Sequence, residues 1–180
     1  MARPILDILA EMPPDPPIDW DAQDMRGLSL WEPWATAVAQ RFKRYETRPW
    51  GTKYRGWILI CSTSKFTQAM REHADLLWRS AVGRRGGLGY EIPHPKWSVG
   101  CALAVVKLLD VLPTEQVALD EGVSRRELAL GDYRSGRFAW KFGEMHVLRK
   151  PYPIKGRQRL WRVSPEDRAA IGALLRPLAT

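Results

Sequence analysis

The chain has 180 residues, of which 45% are hydrophobic and 27% charged, and its formal net charge is +8. This composition is ordinary for a single globular domain and excludes bulk disorder. The longest apolar runs are too short to cross a bilayer and the N-terminus lacks a secretory signal pattern, so we expect a cytoplasmic protein with no membrane partner.

The charge is distributed unevenly along the chain. Residues 1–24 hold five prolines, six acids and one base, and are predicted to form an acidic, proline-rich N-terminal tail. Residues 25–180 therefore carry +13, because the tail contributes −5. A domain this basic attracts polyanions, of which nucleic acid is the commonest in a cell. An acidic protein partner is the other class that this charge fits.

The first half of the domain is predicted to alternate strands and helices. A strand near residues 25–30 is followed by a helix opened by Glu32 and Pro33, since proline suits a first helical turn. Residues 43–48 and 57–61 are predicted strands. A second helix at 64–80 is expected to bury one face with helical spacing, formed by Phe66, Ala69, Met70, His73 and Leu77.

The second half is predicted to be mostly strands. After a basic, glycine-rich loop at 83–89, the strongest β pattern spans about residues 99–111, and Ser124 with Glu127 fits a capping box at a short helix. Further strands are predicted at 138–142, 145–148 and 160–163, and Ser164 caps a last helix. Six or seven short strands in mixed order with helices indicate an α+β fold built on a small barrel.

The cysteines and histidines do not predict a metal site, and a disulfide between the two cysteines is the less favoured alternative to reduced thiols. Cys61 and Cys101 both fall within predicted buried strands and are expected to be reduced. The three histidines are widely spaced, so they do not form a zinc-binding pattern with these cysteines. We therefore expect no metal and no cofactor.

The segment 43–48 concentrates groups that can bind phosphate or move a proton. Lys43, Glu46, Thr47 and Arg48 lie within six residues. Side chains alternate across a strand, so Lys43 and Glu46 share a face only if the strand is bent. The alternative is a surface ion pair between Glu46 and a neighbouring arginine, which contributes little.

A second group near the C-terminus alternates bases with aromatic residues. It comprises Gly131-Asp132-Tyr133, the segment 136–140 and the segment 155–161. Such patterns can hold phosphates and stack unpaired bases. The alternative is structural, because Trp140 and Trp161 lie in apolar strands and are expected to pack in the core.

These segments together resemble the ASCH domain, a member of the PUA-like superfamily. Ser29-Leu30-Trp31-Glu32-Pro33-Trp34-Ala35 matches its opening motif, and Arg41–Arg48 is similar to its Gly-x-Lys-x-x-Glu-x-Arg signature. Blocks at 131–140 and 156–161 also match. Arg41 and Arg159 stand where the motifs have glycine. The resemblance covers about residues 26–163 and assigns residues 25–180 to one ASCH, PUA-like domain.

The resemblance implies a β-barrel with flanking helices and a cleft that suits RNA or a nucleotide. Some relatives are amidohydrolases that deacetylate a modified cytidine with a lysine, a threonine and a glutamate, and others have been described as ribonucleases. Lys43 matches the lysine, whereas Glu46 stands where the threonine would be and Thr47 is one step along. The distant glutamate has no position that the sequence assigns.

Two functions are therefore carried forward. The first is binding of RNA or another single-stranded nucleic acid or nucleotide. Its phosphate-contacting residues are expected to be Arg48, Lys53, Arg55, Arg137 and Arg157, and its base-stacking residues Trp34, Tyr45 and Trp50. The alternative is a hydrolase acting on a modified nucleoside or on RNA, with Lys43, Glu46 and Thr47 as its catalytic groups.

Overall fold

The computed structural model describes residues 24–82 and 95–175. The predicted tail, apart from Asp24, and the glycine-rich loop lie outside the described residues. The described residues form six strands and five helices. The strands are β1 Arg26–Leu30, β2 Tyr45–Arg48, β3 Gly56–Ser62, β4 Cys101–Pro113, β5 Phe138–Pro153 and β6 Leu160–Arg162. The helices are α1 Trp34–Ala39, α2 Gln68–Ala81, α3 Thr114–Ala118, α4 Arg125–Ala129 and α5 Pro165–Leu175.

The strands form one mixed sheet in the order β2-β5-β4-β3-β1-β6. β1 runs parallel to β3, and the other neighbouring strands are antiparallel. The sheet is strongly curled: Arg48 at the edge strand β2 donates a hydrogen bond from Nη2 to the carbonyl of Ser29 on β1, 3.0 Å away, although three strands separate them in the sheet. The predicted α+β fold on a small mixed barrel is confirmed.

Strand β3 is buried on both faces of the sheet. Its side chains alternate between two cores, as a strand period of two requires. Ile58 and Ile60 pack in the core that contains α1, whereas Leu59 and Cys61 pack in the core that contains Ile171 of α5. A strand buried on both faces is a continuous apolar run, as residues 57–61 are.

Several local predictions from sequence are confirmed. Ser124 caps α4 by accepting a hydrogen bond from the amide of Glu127 (3.1 Å), and Ser164 caps α5 in the same way from Asp167 (3.1 Å). Cys61 and Cys101 are both buried and free. None of the helices in residues 24–82 and 95–175 has the length and apolar content needed to span a membrane.

Two predictions were wrong in detail. The buried residues of α2 are Ala74 and Trp78, while His73 is exposed. The face of α2 that packs inward is rotated relative to the predicted one. Trp78, whose side chain is larger than that of His73, packs edge-on against Phe42 and Trp97. The predicted strands at 138–142 and 145–148 are one strand, β5, whose pairing with β4 shifts register between residues 141 and 142, between 142 and 145, and between 147 and 152. The exposed residues Gly143 and Glu144 interrupt the apolar pattern without ending the strand.

Candidate nucleic-acid interface

A turn between α1 and β2 brings Lys43 and Glu46 together. The amides of Phe42 and Lys43 both donate to the carbonyl of Ala37, at 2.8 and 3.1 Å, after Arg41 adopts a left-handed conformation with φ of 62°. β2 begins only at Tyr45, so Lys43 precedes the strand and is not bound by its alternation. This turn supplies the bend that Lys43 and Glu46 need in order to lie on the same face.

Lys43 and two glutamates form a buried ion cluster. The Lys43 side chain is 0% exposed, and its Nζ lies 3.8 Å from Glu46 Oε2 and 3.9 Å from Glu127 Oε1. Both distances are longer than a normal hydrogen bond. Burial lowers the pKa of Lys43 below its usual value, although the two carboxylates oppose that shift. Lys43 thus lies behind Glu46, without solvent-exposed surface.

Glu127 binds the backbone at the start of β2. Its carboxylate accepts hydrogen bonds from the backbone amide of Arg44 and from that of Tyr45 (3.2 Å), and from the hydroxyl of Tyr133 (3.2 Å). Burial, with the nearby Glu127 carboxylate, raises the pKa of Tyr133 above its usual value. The sequence identified Glu127 only as a capping residue, because the packing of α4 against the start of β2 leaves no mark in the local pattern.

The residues after Glu46 form one wall of a cleft. Arg48 bridges its two sides, with Nε 3.1 Å from Glu46 Oε1 and Nη2 bonded to the carbonyl of Ser29. Thr47 Oγ1 accepts a hydrogen bond from the amide of Asp132 at 2.9 Å. Arg137 Nε lies 3.3 Å from Asp132 Oδ2, which joins the Gly-Asp-Tyr block to this wall.

These residues surround a hollow of about 420 Å³, which we call the polar hollow. It is lined by two tryptophans and by charged and polar side chains, among them Trp31, Trp34, Glu46, Thr47, Arg48, Asp132 and Arg137. Trp31 is 54% exposed, so its ring is available to a ligand. The polar hollow therefore offers an aromatic surface together with both donors and acceptors.

A second hollow of about 450 Å³, the basic hollow, adjoins the first. The two share Ser29, Trp31 and Arg48. The described lining of the basic hollow includes five cations and no carboxylate. These cations are Arg48, Lys65, Lys155, Arg157 and Arg159, and Trp50 lies among them. The cleft thus has one end suited to a polar ring and another suited to anions.

A close backbone approach holds the loop 155–159 against β1. A Cβ on Gly156 would lie 2.4 Å from Ser29 Oγ and 3.3 Å from Ser29 Cβ, so any larger residue there requires the Ser29 side chain to move. Ser29 Oγ donates a hydrogen bond to the carbonyl of Arg157 at 3.1 Å. Beyond the loop, a third hollow of about 720 Å³ shares Lys155 and Arg157 with the basic hollow and extends the groove towards α5.

The other candidate residues lie in different places. Trp50 lines the basic hollow and packs edge-on against Trp140, with ring centres 4.7 Å apart. Tyr45 lines a separate hollow of about 190 Å³ beside Glu127. Lys53 and Arg55 are exposed and line neither the polar nor the basic hollow, and Arg55 Nη2 pairs with Asp110 Oδ1 at 2.8 Å.

Sequence reasoning left several residues that line the cleft, Asp132 among them, out of its candidate set. Trp31 belongs to the opening motif, and Lys155 and Arg159 belong to the basic and aromatic segment 155–161, so both segments carried a signal. Lys65 carried none, since it approaches the cleft only through the fold. In the described part of the chain no group of three His, Cys, Asp or Glu side chains is arranged to hold a metal ion.

Comparison with known proteins identifies the family. Residues 28–144 match the family model of the ASCH domain. Activating signal cointegrator 1 of Mus musculus is 29% identical over 136 residues, which is 76% of this chain and 22% of that protein. The Homo sapiens protein of that name is 26% identical over the same length. The chain thus matches only about a fifth of the length of these curated relatives.

Solved structures show the same fold. The crystal structure of ASCH from Zymomonas mobilis has a TM-score of 0.51 at 13% identity, covering 85% of this chain and 96% of that one. A mutant of the Zymomonas mobilis protein gives a TM-score of 0.50 at 12% identity, covering 86% of this chain and 100% of that one. With the family match over most of the sheet, these findings establish that the chain belongs to the ASCH domain family.

Proposed function

We propose that the protein binds RNA or another single-stranded nucleic acid through the cleft formed by the polar and basic hollows. The observation that carries this proposal is their adjacency: an aromatic, hydrogen-bonding hollow shares Trp31 and Arg48 with a hollow whose lining carries five cations. The PUA-like fold, a class associated with RNA binding, and the charge of +13 over residues 25–180 support it.

The contacts fit an unpaired nucleotide better than a duplex. An exposed tryptophan can stack on any base, because every base has a π face. Glu46 and Asp132 can accept, and Arg137 can donate, hydrogen bonds to the edge of a base that is not paired. The cations of the neighbouring hollow would neutralise backbone phosphates, which supply most of the affinity of such proteins.

The test is the salt dependence of binding to short labelled single-stranded RNA, measured by fluorescence anisotropy. If about four phosphates are neutralised, the logarithm of affinity should fall linearly with the logarithm of salt concentration, with a slope of about −3. The same titration with single-stranded DNA and with duplex RNA ranks the ligands. Absence of binding, or binding that salt does not weaken, contradicts the proposal.

Trp31 gives the matched variant for base stacking. Trp31→Ala should weaken RNA binding by about 1–3 kcal/mol, the usual contribution of one stacked base. Leu119→Ala is the control, because Leu119 is 84% exposed and lies outside both hollows. Equal affinities of the two variants would show that Trp31 does not stack on the ligand.

A second function, hydrolysis of a modified nucleoside or of RNA, is favoured by the buried ion cluster behind the cleft wall. Glu46 and Thr47 line the polar hollow and would touch a substrate there. Glu46 would take the proton of an attacking water, while Lys43, held 3.8 Å behind it, would position its carboxylate and hold its charge. Lys43 is then a positioning residue and does not touch the substrate.

The test of hydrolysis is incubation with total RNA and a panel of modified nucleosides, with the products read by mass spectrometry. If a product forms, Glu46→Gln should abolish it while leaving binding in place, because the amide keeps the shape and loses the base. Glu121→Gln, at an exposed position, is the control. A product that forms equally fast with Glu46→Gln removes Glu46 from the mechanism.

A further inference from the structure

Four of the five cations of the basic hollow lack an anionic partner among the described residues. Arg48 is paired with Glu46, but Lys65, Lys155, Arg157 and Arg159 have no carboxylate within ion-pair distance among the described residues. The guanidinium of Arg157 lies 6.0 Å from the ring centre of Trp161, and that of Arg159 lies 5.9 Å from the ring centre of Trp50. Like charges that face one space of about 450 Å³ repel one another, and a bound anion would relieve that repulsion.

Backbone strain at Arg159 points to the same place. Arg159 and Arg41 are the two non-glycine residues with positive φ in the described ranges, at 57° and 62°. This conformation costs free energy for any residue with a Cβ, and glycine would avoid the cost. Arg41 has a structural use, because its Nη2 donates to the carbonyl of Met145 at 2.9 Å. Arg159 has no such bond among the described residues; its guanidinium lies at the basic hollow.

The basic hollow lies next to the polar hollow, in which the base is proposed to bind. Trp31 and Arg48 form the ridge between the two hollows and line both. A base stacked in the polar hollow on this ridge would therefore place a phosphate attached to its own ribose next to the basic hollow. Adjacent subsites of this kind read one nucleotide, with its ring on one side and its phosphate on the other.

We propose that the basic hollow is a phosphate subsite, so that the cleft selects phosphorylated nucleotides and strands over free nucleosides. The proposal rests on the proposed function and specifies its ligand. Arg159, Lys155 and Arg157 contact the phosphate, Lys65 contributes to the positive potential, and the base of the same nucleotide occupies the polar hollow.

The experiment compares ligands that differ only in phosphate. Calorimetric titration of the full chain with the four ribonucleosides, their 5′- and 3′-monophosphates and a tetranucleotide is carried out in a buffer without polyvalent anions. We expect at least one monophosphate to bind ten-fold or more tighter than its nucleoside, and the tetranucleotide to bind tighter still. A nucleoside that binds as tightly as both of its monophosphates overturns the proposal.

Arg159→Gly is the decisive variant, because it removes the cation and the backbone strain at once. The preference for monophosphate over nucleoside should fall about five-fold, while the thermal midpoint stays unchanged or rises. A variant that merely damaged the fold would lower the midpoint. Arg41→Gly is the matched control: it makes the same change at a left-handed position outside the cleft and should leave the preference unchanged. Lys155→Gln and the exposed Lys150→Gln form a second pair.

The outcomes separate this inference from the proposed function. If RNA binds with the expected salt dependence but neither Arg159→Gly nor Lys155→Gln changes the preference for monophosphates, the phosphate subsite is refuted and RNA binding stands. If monophosphates bind in a manner that depends on Arg159 and no strand of any length binds, the subsite stands and the proposed function is wrong.

Discussion

At the scale of single residues, buried charged side chains lie behind the wall of the cleft. Lys43 is the clearest case, because its ammonium is fully buried and two carboxylates lie within 4 Å of it. A buried charge is tolerated only with partners, and removing one partner leaves the others uncompensated. The three side chains are therefore expected to stabilise the turn into β2 as a unit.

Lys43→Met should destabilise the protein by about 3 kcal/mol, since it leaves Glu46 and Glu127 without the cation between them. The free energy of unfolding is measured by denaturant titration. Lys141→Met is the control, because Lys141 is exposed on β5 opposite Tyr45, and its substitution should change stability by less than about 0.5 kcal/mol. Equal stability of the two variants would show that the cluster is not coupled.

Glu32 gives a prediction for pH. It is 3% exposed, its Oε2 accepts a hydrogen bond from the amide of Thr36 at 3.0 Å, and burial raises its pKa to about 7 from 4.5. The unfolded chain therefore loses this proton before the folded one does. The stabilisation that the neutral carboxyl contributes is complete below about pH 4.5 and is lost as the pH rises through 7.

Glu32→Gln should remove this pH dependence, because the amide remains neutral. Relative to the parent protein it should gain on the order of 2–3 kcal/mol of stability between pH 4.5 and pH 8. Denaturant unfolding of both proteins at the two pH values checks this. A difference in stability that does not change with pH would mean that Glu32 ionises normally in the folded protein.

At the scale of elements, the loop 155–159 positions the basic hollow. Gly156→Ala would place a Cβ 2.4 Å from Ser29 Oγ and displace the loop from β1. RNA affinity should fall about ten-fold, because Arg157 and Arg159 move with the loop. Adding Ser29→Ala removes the closest atom and leaves Ser29 Cβ at 3.3 Å, so the double variant should recover part of the affinity.

Gly122→Ala is the control for this prediction, since its nearest neighbour is the flexible carboxylate of Asp120 in an exposed turn. Anisotropy titration with the same RNA compares the three variants. If Gly156→Ala binds as tightly as the parent, the close approach does not position the cations. If the double variant shows no recovery, the Ser29 contact is not the cause of the loss.

The elements themselves were largely predictable from local patterns. The buried run 57–61 and the serines at 124 and 164 each gave the correct element, because a strand's apolar run and a helix cap are local signals. The inward face of α2 was not predictable, since it depends on the packing of Trp78 against Phe42 and Trp97, which are distant in sequence. The continuity of β5 was also hidden, because its pairing with β4 resumes at Met145 after the exposed residues Gly143 and Glu144, and no local apolar pattern marks that.

At the scale of the whole molecule, the curl of the sheet creates the cleft. Arg48 on the edge strand β2 reaches Ser29 on β1, and the loop 155–159 meets the same serine from the other side. The motifs at 29–35, 43–48, 131–140 and 156–161 therefore converge. The sequence indicated that these motifs belong together, but it could not show which side chains share a hollow, because that depends on the path of the curled sheet.

The distribution of charge over the whole chain gives the last prediction. Residues 1–24 contribute −5 against +13 on residues 25–180, so the tail should compete electrostatically with RNA for the basic cleft. Asp24 is kept in the truncation, since it pairs with Arg26 and lies 3.7 Å from Arg162. Deleting residues 1–23 should raise RNA affinity severalfold at low salt.

The salt dependence identifies the cause of that effect. Competition between charges weakens as the Debye length shrinks to about 3 Å at 1 M salt, so the gain from truncation should fade as salt is added. A full-length variant with the acids of residues 1–23 changed to their amides should match the truncation at every salt concentration. An affinity that the truncation leaves unchanged at low salt refutes the competition, and a gain that the amide variant does not reproduce shows that the tail acts by its bulk rather than by its charge.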